Sequence, residues 1–504
     1  MLDNAIKELE KKYPQTTDEI ANKITKLKEA KTNTIIQTIQ NSIDLNLLNN
    51  YGYSKSTQRE IAHFRRQIRR SKKSYKTFEE LKEAFDFEAL LKVFPCWVMS
   101  IEDVARVFPL KAGLFDYVII DEASQCSLPT SIPTLFRGKK AIIVGDDKQL
   151  SDFTKDWTPT TLNESLIKDL RLRAFKKFDS LDAKANSLFD SCSVFREAPI
   201  LLTEHFRSYP EIINFSNQKF YGSKLRIMTN SLNNPLGTIL NIVDVDGTTE
   251  NELKVNPKEA EAVINHLKKL MNDPKYENLS LGVLSLFREQ ANFLRKMIYD
   301  DDFIRERIEK HSLVADTVDG FQGDEKDVIL YSFRYAPNST PHIFTFTRGE
   351  DGWRRANVGF TRARKQIFCF LSRPVDKFPA GLIKEFLQYT QSPSKKIIKE
   401  GLLGSDFEKD MHQILSQDKE LVIIPQFETC GFFIDFVLLK NGRTLALECD
   451  GMQHFSETGE LIEADIERQD ILERADWQIK RISSREFYRD MQGSAEKILE
   501  FFSQ

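Results

Sequence analysis

Short apolar runs, each ending in a polar turn, recur along the middle of the chain at 96–99, 117–120 and 141–144. After a less periodic stretch at 151–198 they resume at 238–245, 279–286, 327–333 and 367–371. A strand with one wet face alternates apolar and polar residues. A continuous apolar run of this length instead has both faces covered, which is the condition of a parallel strand sandwiched by helices. Two α/β lobes are therefore expected, and 504 residues leave room for three or four domains.

The flanks differ in texture. Residues 1–92 are rich in Lys, Glu and Gln, poor in Gly and Pro, and read as helix. They include a basic block of Arg65, Arg66, Arg69, Arg70, Lys72, Lys73 and Lys76. Such a run is either a solvated helix face or a phosphate-contacting arm. Pro374, Pro379, Pro393 and Gly401 surround a short helix, which marks a linker at 374–402. Beyond it the pattern predicts a helix at 405–417, strands at 421–428, 432–439 and 443–449, a helix at 463–475 and a strand at 477–482. The expected domains are thus a helical segment (1–92), two lobes (93–198 and 199–373), the linker and a small α/β domain (403–504).

The net charge of −3 makes any nucleic-acid surface a local one. No apolar run approaches the ~20 residues of a membrane span. The polar start, Met1-Leu2-Asp3-Asn4, is unlike a signal peptide. The six cysteines are scattered without a C-x-x-C pair, which argues against a zinc site or disulfide framework and for a reducing cytoplasm.

Two carboxylate constellations carry chemistry. In the first, the run 115–120 ends in Asp121-Glu122. One carboxylate there suits Mg²⁺ and its neighbour an attacking water, although a structural turn would also accommodate them. The next run leads into Gly145-Asp146-Asp147-Lys148-Gln149. Further on come His205-Phe206-Arg207, then Asp316-Thr317 to Gln322-Gly323-Asp324-Glu325, then Arg354 to Arg364 with Thr361-Arg362. In the second, Asp435 lies on one expected strand and Glu448 and Asp450 on one face of the next. Glu408 stands on the helix before them and His454 after. Converging acids suit one or two divalent ions for phosphodiester hydrolysis; the alternative is the solvated face of a hairpin.

In order and spacing, the first set resembles motifs II to VI of superfamily-one helicases. The nearest branch is the 5′→3′ one that includes RNA-decay and Okazaki-fragment helicases. The resemblance implies two RecA-like lobes, with Asp121 and Glu122 as Mg²⁺ and water residues and Gln149 on the γ-phosphate. It further implies Arg207 and Arg362 as arginine fingers and Phe206 as an adenine-stacking ring. Gln322, Gly323 and Glu325 would couple nucleotide to nucleic acid, and Thr317 would contact the strand. Two departures stand out. Ser151-Asp152 replaces the usual prolines after Gln149-Leu150, and no G-x-x-x-x-G-K-[ST] occurs; Gly138-Lys139 runs on to Lys140. The family's P-loop precedes motif II, often by a long helical insertion whose tail residues 1–92 resemble. ATP use is thus expected only in an assembly completed by an upstream segment or a companion chain.

The second set resembles the PD-(D/E)xK nucleases, in the branch of the very-short-patch repair endonucleases. This implies Glu408, Asp435 and Glu448 as ligands of Mg²⁺ or Mn²⁺, with Asp435, Glu448 and Asp450 as the catalytic carboxylates, Asp450 standing in place of the usual Lys and His454 nearby. Together the two resemblances imply an ATP-dependent DNA helicase-nuclease of DNA repair or anti-phage defence, with RNA open as a substrate. The rival expectation is a non-hydrolysing scaffold that targets or regulates a nuclease.

Overall fold

The computed structural model describes residues 17–74, 85–150, 160–174, 186–193, 200–250, 254–321, 323–339, 349–393, 404–451 and 463–503. The chain divides into two compact units, one of residues 27–201 and one of 202–504 together with 1–26.

In the first unit, helices α1 (Thr17–Leu47) and α2 (Lys55–Ser74) are followed by α3 (Phe87–Val93) and α4 (Ile101–Val107). Asp86 caps α3 by accepting from the amides of Glu88 and Ala89, and Ser100 caps α4. An aromatic core ties these helices to the first strand: Phe64 packs on Phe85, Phe87 on Phe108, and Phe108 on Phe115. Phe115 opens strand β1 (Phe115–Ile120), which pairs in parallel with β2 (Gly138–Ile143) around helix α5 (Leu128–Phe136). Residues 96–99, expected as a strand, are irregular. Trp97 turns inward onto Phe108 and donates its indole N–H to Phe94 O at 2.7 Å, while Val98 is 96% exposed. Apolar character alone does not make a strand, and this run has no ladder partner among the described residues.

The two faces of β1–β2 differ. Val118 and Ile120 pack with Ala123, Leu128 and Leu188, the last from α6 (Leu188–Ser193). On the opposite face Tyr117, Ile119, Ile142 and Val144 all stay exposed; Ile119 and Ile142, directly paired across the ladder, are 66% and 46% accessible. Parallel strands are normally covered on both sides.

The second unit opens with a two-stranded parallel pair, β3 (Glu204–His205) and β4 (Arg226–Ile227), flanking α7 (Pro210–Phe220). It continues as a five-stranded, all-parallel sheet in the order β5-β9-β8-β6-β7. The strands are β5 (Leu240–Asp244), β6 (Leu281–Ser285), β7 (Val314–Thr317), β8 (Lys326–Ser332) and β9 (Ala363–Leu371). Helices α8 (Pro257–Asn272), α9 (Arg288–Asp300) and α10 (Gly349–Phe360) connect them. Asn256 caps α8, Pro257 starts it, and Ala260, Val263, Ile264, Leu267, Leu270 and Met271 form the stripe it buries on the sheet. β7 is absent from the sequence-based strand assignment because its apolar run ends after Val314-Ala315. Glu259 is fully buried beneath the sheet, accepting from Ser332 Oγ (2.6 Å), Arg334 N (2.7 Å) and Ser372 Oγ (2.8 Å). The short helix of the expected linker, α11 (Leu382–Gln391), is no tether: Phe386 is fully buried, stacked on Phe360 and edge-on to Phe215. The described residues up to 393 therefore belong with the second lobe.

A four-stranded sheet follows in the order β10-β11-β12-β13. Strands β10 (Val422–Thr429), β11 (Phe432–Lys440) and β12 (Arg443–Asp450) are antiparallel, and β13 (Ile479–Ser483) runs parallel to β12. One face packs on α12 (Asp406–Leu415), and on α14 (Ser484–Arg489) and α15 (Met491–Leu499), which the sequence reading did not anticipate. The other packs on α13 (Glu463–Arg474) through Ile471 and Leu472, and here Met228 of the second lobe joins the core.

Candidate functional site

At the carboxyl end of β1, Glu122 adopts φ +51°, the left-handed region that a non-glycine residue enters at a cost of ~1–3 kcal/mol. The turn is held by Ala123 N donating to Val144 O (2.8 Å) and Val144 N donating to Ile120 O (2.9 Å). It leaves Asp121 and Glu122 exposed, with Gln125 Nε2 donating to Glu122 Oε2 at 2.8 Å. Next to it, Gly145 must be glycine in this packing, since a Cβ would lie 2.7 Å from Phe189 and 3.1 Å from Ser124 N. Gln149 Nε2 donates to Asp146 Oδ2 at 3.0 Å. Adjacent parallel strands thus bring Asp121, Glu122 and the Asp146–Gln149 turn to one sheet end. Carboxyl ends of parallel strands are where α/β sheets bind ligands.

In the second unit, Glu325 is shared by two guanidiniums: Arg207 pairs with Oε2, and Arg364 Nε donates to Oε1 at 2.8 Å. His205, two residues before Arg207, accepts from Ser208 N at 2.9 Å; burial, reinforced by the Arg207 charge, lowers its pKa to about 4. It is therefore a neutral brace for the turn. Phe206 is 52% exposed. Arg362, expected as a phosphate-facing finger, is 2% exposed, with Nε on Val358 O (3.1 Å) and Nη1 on Asp324 O (3.3 Å). Thr317 ends β7, its Oγ1 accepting from Gly320 N, and Gly323 takes φ +80°. Gln322 lies outside the described residues.

The acids of the C-terminal sheet converge as alternation on β11 and β12 predicts. Asp435 Oδ2 accepts from Cys449 N at 2.8 Å. Gln426, at φ +49° on β10, spans Glu408 Oε2 (3.1 Å) and Asp435 Oδ1 (3.4 Å). Glu408 also accepts from Gly404 N and Ser405 Oγ, so it stabilises the start of α12 as well as facing the cluster. Burial raises the Asp435 carboxyl above its ordinary range, with Glu408 and Asp450 adding to the rise. Burial pushes Glu448 up to about 8, against the pull of Arg468. Arg468 Nη2 donates to both Glu448 oxygens, at 2.7 and 2.9 Å. Asp450 is differently engaged: Arg481, from β13, holds it bidentately, and the two are 1% and 3% exposed. The sequence reading offered Asp450 as catalytic, yet both its oxygens face a buried guanidinium.

The donor set around Asp435 is all oxygen and fits a hard divalent ion. Among the described residues, however, no three His, Cys, Asp or Glu side chains stand close enough to hold one as they are placed. His454 lies outside the described residues. Gln426, Arg468 and Arg481 are the participants that sequence reasoning missed. An arginine on the helix beside a strand of acids could have flagged Arg468; Arg481 and Gln426 sit on neighbouring strands, and nothing in their local sequence marks them.

Of the basic block, Arg65 and Arg66 are exposed on α2. The helix continues through Arg69 and Arg70, whose side chains lie outside the described residues, as does Lys76. No described helix is long and apolar enough to cross a membrane.

Comparison with known proteins follows the same division. Residues 2–155 match one AAA-domain family model (AAA_11) and residues 184–372 another (AAA_12). Residues 407–502 match the REase_MTES_1575 model. Similar curated proteins include an uncharacterized ATP-dependent helicase of Mycoplasma genitalium, 29% identical over 61% of this chain and 28% of that protein. Helicase sen1 of Schizosaccharomyces pombe is 32% identical over 50% of this chain and 14% of its own length. The DNA replication ATP-dependent helicase/nuclease DNA2 of Gallus gallus is 27% identical over 50% and 22%. The chain thus spans less than a third of each of these relatives. Among solved structures, the PRRSV helicase matches at 14% identity over 76% of this chain and 50% of that one, with a TM-score of 0.24. The two AAA-domain matches and the helicase relatives support a superfamily-one helicase, and the match of residues 407–502 hints at a nuclease-like C-terminal domain.

Proposed function

We propose that this chain is part of an ATP-dependent DNA helicase-nuclease acting in DNA repair or anti-phage defence in the cytoplasm, with RNA as the other candidate strand. One observation carries the motor reading: Asp121, Glu122 and Gln149 share the carboxyl end of two adjacent parallel strands. In this reading Asp121 holds nucleotide-bound Mg²⁺, Glu122 orients the attacking water and Gln149 senses the γ-phosphate. Arg207 answers phosphate charge, Arg362 would join it only by leaving Val358 O and Asp324 O, and Phe206 stacks on the base. Gln322, Gly323, Glu325 and Thr317 link nucleotide to strand.

The sequence carries no G-x-x-x-x-G-K-[ST] motif, and among the described residues nothing covers the apolar face of β1–β2. Further polypeptide carrying a P-loop, in the same protein or in a companion chain, would cover that face and complete the nucleotide site.

In the C-terminal domain Glu408, Asp435 and Glu448 would hold Mg²⁺ or Mn²⁺, which when bound polarises a phosphodiester for hydrolysis. The residues themselves set the environment: Gln426 spaces two of the acids, and the Cys449 amide orients Asp435. The Arg481–Asp450 pair fixes the strand that carries Glu448. The match of residues 407–502 and the helicase/nuclease relative support this reading.

The test is DNA-stimulated ATP hydrolysis and Mn²⁺-dependent cleavage by the chain together with a P-loop-bearing segment. Asp121→Asn should abolish only the first and Asp435→Asn only the second. A chain that binds DNA but does neither, even when completed, would instead be a scaffold, the reading favoured by the missing cradle.

A further inference from the structure

Glu448 is 3% exposed and lies in a cluster with two other acids, Asp435 and Glu408. A carboxylate so placed requires a cation or a proton. In this structure the cation is Arg468, one turn into α13, whose Nη2 sits 2.7 and 2.9 Å from the two Glu448 oxygens and also donates to Phe433 O. A metal ion held by Glu448 would need the same oxygens.

The arginine is also poorly satisfied. Its Nε–H is buried with no acceptor, an unmet donor of the kind that costs ~1–3 kcal/mol. Its helix is fixed at the far end, where Arg474 donates to Glu204 at 2.6 and 2.8 Å, and by Ile471 and Leu472 in the core. With α13 pinned, a change at Glu448 must be taken up by the Arg468 side chain, whose long stem has the rotamers to do it.

From this geometry we infer that Arg468 is a resident counter-ion, held on the two Glu448 oxygens that a divalent cation would use and displaced when such a cation binds. The inference rests on the nuclease reading for the identity of the site, but not for its evidence. It explains why, among the described residues, no three acids stand at metal-holding distance while the acids nonetheless converge. It assigns Arg468 as a positioning residue that sets the threshold for metal loading. The site stays neutralised until an ion of higher charge density competes for it.

The experiment is calorimetric titration of the 504-residue chain with Mn²⁺ in the absence of nucleic acid. Arg468→Met keeps the apolar stem and removes the charge. It should bind Mn²⁺ about tenfold tighter than wild type, and adding Asp435→Asn should remove the gain. Arg468→Ala opens a space that guanidinium ion can refill, so millimolar guanidinium should weaken Mn²⁺ binding to that variant and leave wild type unchanged. Unchanged or weaker affinity in Arg468→Met, with guanidinium inert in Arg468→Ala, overturns the proposal. Tighter binding without any cleavage by the loaded chain overturns the nuclease reading and leaves this one standing. Cleavage by wild type with no effect of Arg468→Met on affinity does the reverse.

Discussion

Replacing Asp450 by Asn separates a structural carboxylate from a catalytic one. Asp450 and Arg481 form a two-pronged ion pair between neighbouring strands β12 and β13, and both are essentially inaccessible. Asn keeps the shape and one acceptor oxygen but removes the charge, leaving a buried guanidinium half-paired. Breaking such a pair from one side costs ~3–5 kcal/mol, and the retained acceptor puts Asp450→Asn near the lower end, about 3 kcal/mol. The change is best read by hydrogen exchange of the β12 and β13 amides, which reports on that sheet locally. Protection there should fall about 100-fold while that of β8 and β9 in the second lobe stays put. Asp450→Asn/Arg481→Met should recover most of the loss, since no unpaired charge remains. Undiminished β12–β13 protection in Asp450→Asn together with lost cleavage would refute the reasoning and return Asp450 to the catalytic set.

Three further outcomes are expected. Burial pushes the Glu259 carboxyl up to about 7 from 4.5, so the unfolded chain releases this proton first. Stability from this group is full below pH ~4.5 and lost as pH rises through about 7, by roughly 3 kcal/mol. Glu259→Gln should flatten that slope in melting curves between pH 4.5 and 8, and parallel curves for the two proteins would disprove it. On the open face of β1–β2, Ile119→Ser/Ile142→Ser should leave the melting temperature of the isolated chain within about 2 °C, because neither side chain is buried. The same pair should abolish ATP hydrolysis by the completed assembly; unaltered turnover means nothing docks there. Changing Arg65, Arg66, Arg69 and Arg70 to Ala should weaken single-strand binding and flatten the log–log salt slope by about one unit per lost phosphate contact. An unchanged slope in fluorescence anisotropy makes the block a solvated helix face.

What the sequence revealed and what it hid follow from the range of the forces involved. β8 and β9 were legible because the core of a buried parallel strand, here 328–331 and 367–371, is a continuous apolar run; the runs 117–120 and 141–144 of β1 and β2 read the same way although one of their faces is open. Residues 96–99 are such a run too and are not a strand, since a strand also needs a partner edge, and Trp97 finds a better place against Phe108. Linker texture misled in the same way: the prolines around α11 are real stops, but Phe386 between them is a core residue of the second lobe.

The site divides along the same line. Asp435, Glu448 and Asp450 could be picked out because β-strand alternation places acids on a shared face without reference to the rest of the fold. Their roles could not, because each depends on which cation the tertiary structure delivers. Arg481 arrives from 31 positions downstream to hold Asp450, and Arg468 from 20 positions downstream to hold Glu448. Both acids lie on one strand and are equally buried, yet one faces a fully paired guanidinium and the other a guanidinium with an orphaned N–H. A fully satisfied buried pair resists exchange, because any replacement must match two parallel hydrogen bonds. A half-satisfied one gives up less when a divalent ion arrives. The difference between a structural and a functional acid here therefore lies in the quality of the arginine opposite, which makes Glu448 the residue where metal should enter first.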